Sequence, residues 1–167
     1  MSDIKRVYCR KGDLFEVRKN NSYRYFQLVT YDMTDLNSDV IAVFKGKYSK
    51  PQDPSNITTQ AVDFFTHITA VRFGVPEFWR KVGTAQPVDF SSAIFKLVDY
   101  VKDGRRQPSA GKSNHWVVWT IDNDWEYVGK GEKVPLNAEL GLVFDPGSIY
   151  KKITEGKYGG VYHGVQL

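Results

Sequence analysis

Lys11-Gly12-Asp13-Leu14-Phe15-Glu16-Val17, Ser22-Tyr23-Arg24-Tyr25-Phe26-Gln27-Leu28-Val29 and Asp39-Val40-Ile41-Ala42-Val43-Phe44 are three runs of aromatic and branched residues separated by turn formers. Together they predict the start of a small antiparallel barrel or a strongly bent sheet. Lys19-Asn20-Asn21-Ser22 joins the first two runs, and asparagine tolerates the positive φ that a tight hairpin loop demands. Residues 32–38 are polar and make a surface connection into the third run. Residues 45–55 hold Gly46, Pro51 and Pro54, which exclude regular structure and predict a long exposed loop carrying Tyr48.

Beyond this opening the pattern changes. Residues 57–74 fit two templates: Ile57, Ala61, Phe64, Phe65 and Ile68 make a helical stripe, whereas Thr66-His67-Ile68-Thr69-Ala70-Val71-Arg72-Phe73 has strand composition. We assign strand to the second half. Pro76 pushes Val75 toward an extended backbone, and Glu77-Phe78-Trp79-Arg80 reads as one helical turn. The strongest helix signal covers residues 89–102, where Phe90, Ile94, Leu97, Val98 and Val101 share a stripe behind Asp89 as N-cap, with Gly104 to close the end. That stripe should pack on an open face of the sheet.

Residues 105–114 then form a second flexible loop, basic through Arg105 and Arg106. Residues 115–121 read as a buried strand, and Asp122-Asn123-Asp124 turns it into Trp125-Glu126-Tyr127-Val128. Asp145-Pro146-Gly147-Ser148 supplies an N-cap and a first-turn proline for a short C-terminal helix ending near Gly156, and residues 158–165 read as a glycine-broken strand. The expected fold is one α+β domain over residues 1–167: a strongly bent antiparallel sheet or SH3-like barrel with one packed amphipathic helix and a short C-terminal helix.

Composition narrows the class. A hydrophobic fraction of 41% and a charged fraction of 25% are those of an ordinary globular protein, not a disordered one. Aromatic residues reach 14%, which favours sheets and binding surfaces. No apolar stretch has the length of a signal peptide or a membrane span, and a lone Cys9 cannot form an internal disulfide, so the expected location is cytoplasmic, with no membrane partner. The net charge of +4 is concentrated at one end: residues 1–24 hold Lys5, Arg6, Arg10, Lys11, Arg18, Lys19 and Arg24 against Asp3, Asp13 and Glu16, and the remainder is balanced.

No assembled catalytic motif accompanies this pattern. Cys9 lies beside Arg10, which could lower its pKa, but lacks a neighbouring base. His67, His115 and His163 have no metal-ligand spacing among themselves or with Cys9. Asp122-Asn123-Asp124 lacks the downstream glycine and glutamate of a calcium loop, and the glycines at 129–131 and 156–160 lack the phosphate-loop pattern. The expectation is therefore a non-enzymatic protein with no catalytic residue, cofactor or metal.

The Gly12-Asp13 pair ahead of an apolar strand, the aromatic second strand carrying Gln27 before branched residues, and the third strand ending in Phe44 resemble the opening of the bacterial immunity protein family numbered twenty-six. The likeness covers about the first quarter of the chain. Gly-Asp openings also occur in small SH3-like barrels of other function. The resemblance implies a cytoplasmic antidote that binds and blocks a cognate toxin, encoded next to the toxin gene. Because inhibitors of basic nucleases are typically acidic, a pI near 9.0 points toward a neutral or acidic toxin surface. Tyr48 in the first loop and Arg105 and Arg106 in the second are the expected partner-binding residues. The alternative is a small nucleic-acid-binding barrel using Lys5, Arg6, Arg10, Lys11, Arg105 and Arg106, and a hydrolase with an unrecognised site ranks third.

Overall fold

The computed structural model describes residues 7–34, 36–99, 102, 113–159, 161–162 and 165–166. The opening runs become β1 (Asp13–Lys19), β2 (Ser22–Asp32) and β3 (Ser38–Phe44), an antiparallel meander whose first hairpin turns at Asn20 with φ 54°. β4 (Val62–Ile68) continues the meander, and β5 (Trp79–Thr84) returns to pair with β1. A second sheet in the order β8-β7-β6-β9 is built from β6 (Ile94–Val98), β7 (Trp116–Thr120), β8 (Glu126–Gly129) and β9 (Glu139–Leu140). β10 (Val143–Phe144) then adds in parallel to β4, so the first sheet has the order β10-β4-β3-β2-β1-β5. Register shifts at Leu14/Phe15, Leu28/Thr30 and Val43/Phe44 place bulges that bend it. Its two ends are not joined, so the molecule contains an open bent sheet and not a closed barrel.

Both faces of this sheet are covered, which explains why β3 is apolar without alternation: Val40, Ile41, Ala42, Val43 and Phe44 are all at most 1% exposed. On one face, Phe15, Val17, Phe26, Leu28, Ile41 and Val43 pack under Ile149 and Ile153 of the helix α2 (Pro146–Glu155). On the other, Val29, Val40, Ala42 and Phe65 meet Phe95, Val117 and Trp119 of the second sheet. A third cluster of Leu14, Tyr25 and Phe44 is capped by Ile57 of the one-turn helix α1 (Pro54–Ile57).

The C-terminal helix forms as its sequence predicts. Asp145 accepts a hydrogen bond from the Ser148 N–H at 3.1 Å, Pro146 opens the first turn, and Gly156 closes the last at φ 83°. It is also the helix that packs on the sheet. β11 (Val161–Tyr162) and β12 (Val165–Gln166) pair as a small hairpin where the glycine-broken strand is expected.

Residues 89–102 do not form the expected amphipathic helix. Asp89 instead closes a local turn on the Ser91 N–H and hydroxyl at 2.9 and 3.0 Å, and Ile94 to Val98 pair as β6 with β7 and β9. Four apolar residues around a single Lys96 satisfy both periods, and the partner strands decide between them. Phe90 and Leu97 are partly buried in the inter-sheet cluster with Phe95; Val101 and Gly104 lie outside the described residues.

Two smaller boundaries also differ. Strand structure begins at Val62, and Val71–Gly74 is a 3-10 turn, held because Asp39 accepts the Val71 N–H at 2.8 Å. Trp79 opens a strand where a helical turn was expected. Its indole donates to the Val71 carbonyl at 2.9 Å and lies against Gly74, where a Cβ would overlap the ring. Within the long loop, Tyr48 exchanges two backbone hydrogen bonds with Tyr23, and α1 begins at Pro54.

One run joins the layers. Residues 139–140 pair with β6 and residues 143–144 with β4, and between them Gly141 passes so close to Trp119 that a Cβ would overlap its indole. Phe95 is fully buried and Leu97 only partly. The strand assignment therefore predicts that Phe95→Ala costs roughly 3–5 kcal/mol and Leu97→Ala less, measured by urea unfolding. A helical segment would reverse that order, since Phe95 falls off its stripe.

Candidate functional site

The residues singled out in the sequence do not converge. Cys9 is half-buried, and burial together with Asp13 and Asp39 pushes its thiol up to about 11, the wrong direction for a nucleophile. His67 is enclosed between the sheets, His115 lies beside Tyr127, and His163 is outside the described residues. Among the described residues, no three His, Cys, Asp or Glu side chains gather in a way that could hold a metal ion. No helix among them is long and apolar enough to cross a membrane. Asp122 to Asp124 form the β7–β8 turn, where Asp122 has φ 59° and accepts the Met33 N–H at 3.0 Å.

The basic residues of the first hairpin and the segment before it have partners. Lys19 pairs with Glu155 at 2.6 Å, and Arg24 reaches Asp63 at 2.8 Å and the carbonyls of Ile153 and Phe44 at 3.0 Å each. Arg10 lies 3.8 Å from the buried Asp13, which also holds Lys81 at 2.7 Å. The Arg18 guanidinium lies over the Tyr23 ring and the Lys11 ammonium over Tyr31. A groove of about 390 Å³ beside this hairpin is lined by Val17, Arg24, Lys47 and Ile153, but Arg24 is already committed. Lys5, Arg6, Arg105 and Arg106 lie outside the described residues. Tyr48 is half-buried and tilts against Tyr25 with ring centroids 5.9 Å apart.

Buried polar side chains on the sheet are likewise taken up by structure. Gln27 donates to the carbonyls of Gly12 and Gln86 at 3.1 Å each and accepts the Val88 N–H at 2.9 Å, tying the chain after β5 to the sheet. Glu16 accepts from the Tyr25 hydroxyl at 3.0 Å and from Arg80 at 2.8 Å. Burial pushes Tyr25 up to about 12, so it stays a donor.

Two exposed aromatic rings sit at the start of the edge strand β8, Trp125 just before it and Tyr127 within it. Trp125 is 38% exposed and Tyr127 49%, in a protein that encloses most of its other aromatic rings. Both are held in place. Trp125 stacks on Trp119 at 5.5 Å, and the Tyr127 hydroxyl donates to the Asn114 carbonyl at 3.0 Å and meets His115 Nδ1 at 2.9 Å. The Lys102 ammonium sits 4.5 Å from the Tyr127 ring centroid. By register Tyr127 opposes Val117, so it extends the inner face of the second sheet to its free edge. Sequence reading missed this pair because exposed and buried aromatics look alike in an apolar run. The only available signal was the polar Glu126 between them.

Asp32 and His67 form a closed pair at 2.8 Å, both 0% exposed, with the Phe95 ring 4.1 Å from the imidazole. Burial lowers the His67 pKa against the pull of Asp32, because an imidazolium would bring an unpartnered Nδ1–H into apolar surroundings. Burial raises Asp32, but hydrogen bonds from Thr34 and His67 outweigh it and hold the carboxyl below its usual range. Neutral His67 therefore donates Nε2–H to ionised Asp32.

No family model, curated protein or solved structure matches this chain.

A histidine whose pKa is depressed on folding contributes stability that is complete above its unfolded value of about 6.5 and is lost as pH falls below it. Asp32, also depressed, adds a second loss below about 4. The urea midpoint should thus fall between pH 7 and 5.5, and His67→Gln, whose amide can still donate to Asp32, should flatten that slope. Equal slopes for the two proteins would remove His67 from the acid response.

Proposed function

We propose that this protein is a non-enzymatic binding domain, and specifically a cytoplasmic immunity protein that neutralises a cognate bacterial toxin by direct contact. The observation that carries the reading is the pair Trp125 and Tyr127, exposed at the start of an edge strand yet fixed by stacking and hydrogen bonds. Rigid aromatics at the surface supply contact area with little ordering cost, and such residues dominate binding energy at protein interfaces. Arg105 and Arg106 stay candidate contacts on their chemistry alone, since they lie outside the described residues. Tyr48 is a second candidate contact on the other loop. The consecutive antiparallel order β4-β3-β2-β1-β5 we read as the SH3-like meander of the expected family, splayed open.

A nucleic-acid reading draws on the same edge, because Trp125 and Tyr127 beside Lys102 could stack bases. It has less support from charge. Of the hairpin cations, Lys19 and Arg24 already pair with carboxylates, and phosphate tracking requires free ones.

With a toxin taken from the gene neighbourhood, Trp125→Ala and Tyr127→Ala should each weaken binding by about tenfold or more, equivalent to roughly 1.4 kcal/mol, with urea unfolding checking that the fold persists. Tyr48→Ala and Arg106→Ala test the loops in the same assay. Binding within twofold of wild type for all four variants would move the contact elsewhere. A sub-micromolar oligonucleotide complex that weakens steeply with salt would replace the immunity reading.

A further inference from the structure

A cleft of about 180 Å³ opens between the sheets where β4 faces the approach to β6 and the start of β9. It is smaller than a typical pocket for a drug-sized ligand, and it holds about the volume of six waters. Val62, Phe65 and Ile94 give it apolar walls, and Asp63, Glu139, Asn137 and Ser92 are its polar lining residues. Glu139 is the unusual member. Its backbone is pinned by pairing with Phe95, its side chain is half-buried, and its carboxylate accepts no hydrogen bond and joins no ion pair among the described residues. Burial raises its pKa, Asp63 adds to the rise, and Lys152 and Lys96 offset it from a distance. Two of those neighbours are engaged elsewhere: Asp63 with Arg24 at 2.8 Å, and the Lys152 ammonium over the Phe64 and Tyr158 rings at 5.4 and 5.0 Å.

A carboxylate without a partner, two neutral polar side chains and apolar walls in one small cleft match one ligand chemistry. We propose that the cleft binds a cation carried on an aliphatic stem, the chemistry shared by an arginine or lysine side chain and a free diamine. The stem packs between Val62, Phe65 and Ile94, and the charged head meets Glu139, with the Asn137 carbonyl and Ser92 hydroxyl as further acceptors. The site lies at the opposite edge of the four-stranded sheet from Trp125, so it does not rest on the toxin reading.

Amide NMR titrations with N-acetyl-argininamide, putrescine and N-acetyl-norleucinamide test it on the whole protein. Both cations should give saturable shifts centred on Asp63, Ala93, Ile94 and Glu139, the uncharged norleucine analogue should not, and Glu139→Gln should weaken binding by about fivefold or more. Tighter binding of argininamide assigns the cleft to a protein side chain, and tighter binding of putrescine to a free diamine. Absence of saturable shifts, equal shifts with the norleucine analogue, or binding unchanged in Glu139→Gln while its spectrum remains folded would overturn the proposal.

Discussion

Covering both faces of the central sheet is the constraint to which the other features answer. A sheet wetted on one side can leave alternate residues polar, but here α2 lies on one face and the second sheet on the other. Most polar side chains retained on the inner strands find a partner, since an unpaired buried group costs about 1–3 kcal/mol. The partners come from the periphery. Arg80 and Lys81 of the edge strand reach Glu16 and Asp13, the chain after β5 supplies carbonyls to Gln27, and the loop after β2 supplies Thr34 to Asp32. The hydrophobic layers are thus pinned in register by polar contacts at their margins.

The same arrangement decides where the surface retains unused chemistry. Among the described residues, most of the basic side chains near the N-terminus lie against carboxylates or aromatic rings. Among the described residues, the smaller sheet keeps chemistry at both of its margins: an aromatic pair at the start of β8 and an unpaired carboxylate on β9. A four-stranded layer covering one side of a larger one leaves margins of this kind, because its outermost strands extend beyond the apolar contact and need not satisfy it.

Elements fixed by neighbouring residues were legible in the sequence. The first hairpin needed only Asn20 and Asn21, and α2 only Asp145, Pro146 and Gly156, all within a few residues of what they control. Residues 89–102 were misread because Ile94, Leu97 and Val98 satisfy a helical stripe and a strand equally, and the choice depends on Trp116 to Thr120. The Asp32–His67 pair and the Glu139 cleft were invisible for the same reason: each joins residues distant in sequence, through a sheet pairing that no local pattern announces. Tyr127 lies on the strand expected for it and Trp125 just before its first residue, but their exposure follows from β8 being an edge, which is a property of the whole sheet.

The run through β9 and β10 has a consequence for the order in which the chain is made. The five strands of the meander are complete by Thr84, yet the cover for Val40, Ala42 and Phe65 comes from β6 and β7, and the stitch that ties the two sheets arrives only with residues 139–144. During synthesis from the N-terminus, the nascent sheet therefore carries a bare apolar face while the second half of the chain is still being added. β4 also waits with an unpaired edge until Val143 and Phe144 dock beside it. The vulnerable interval in the life of this protein is accordingly its birth, when a growing chain has built its largest sheet and has not yet received the segment that closes it.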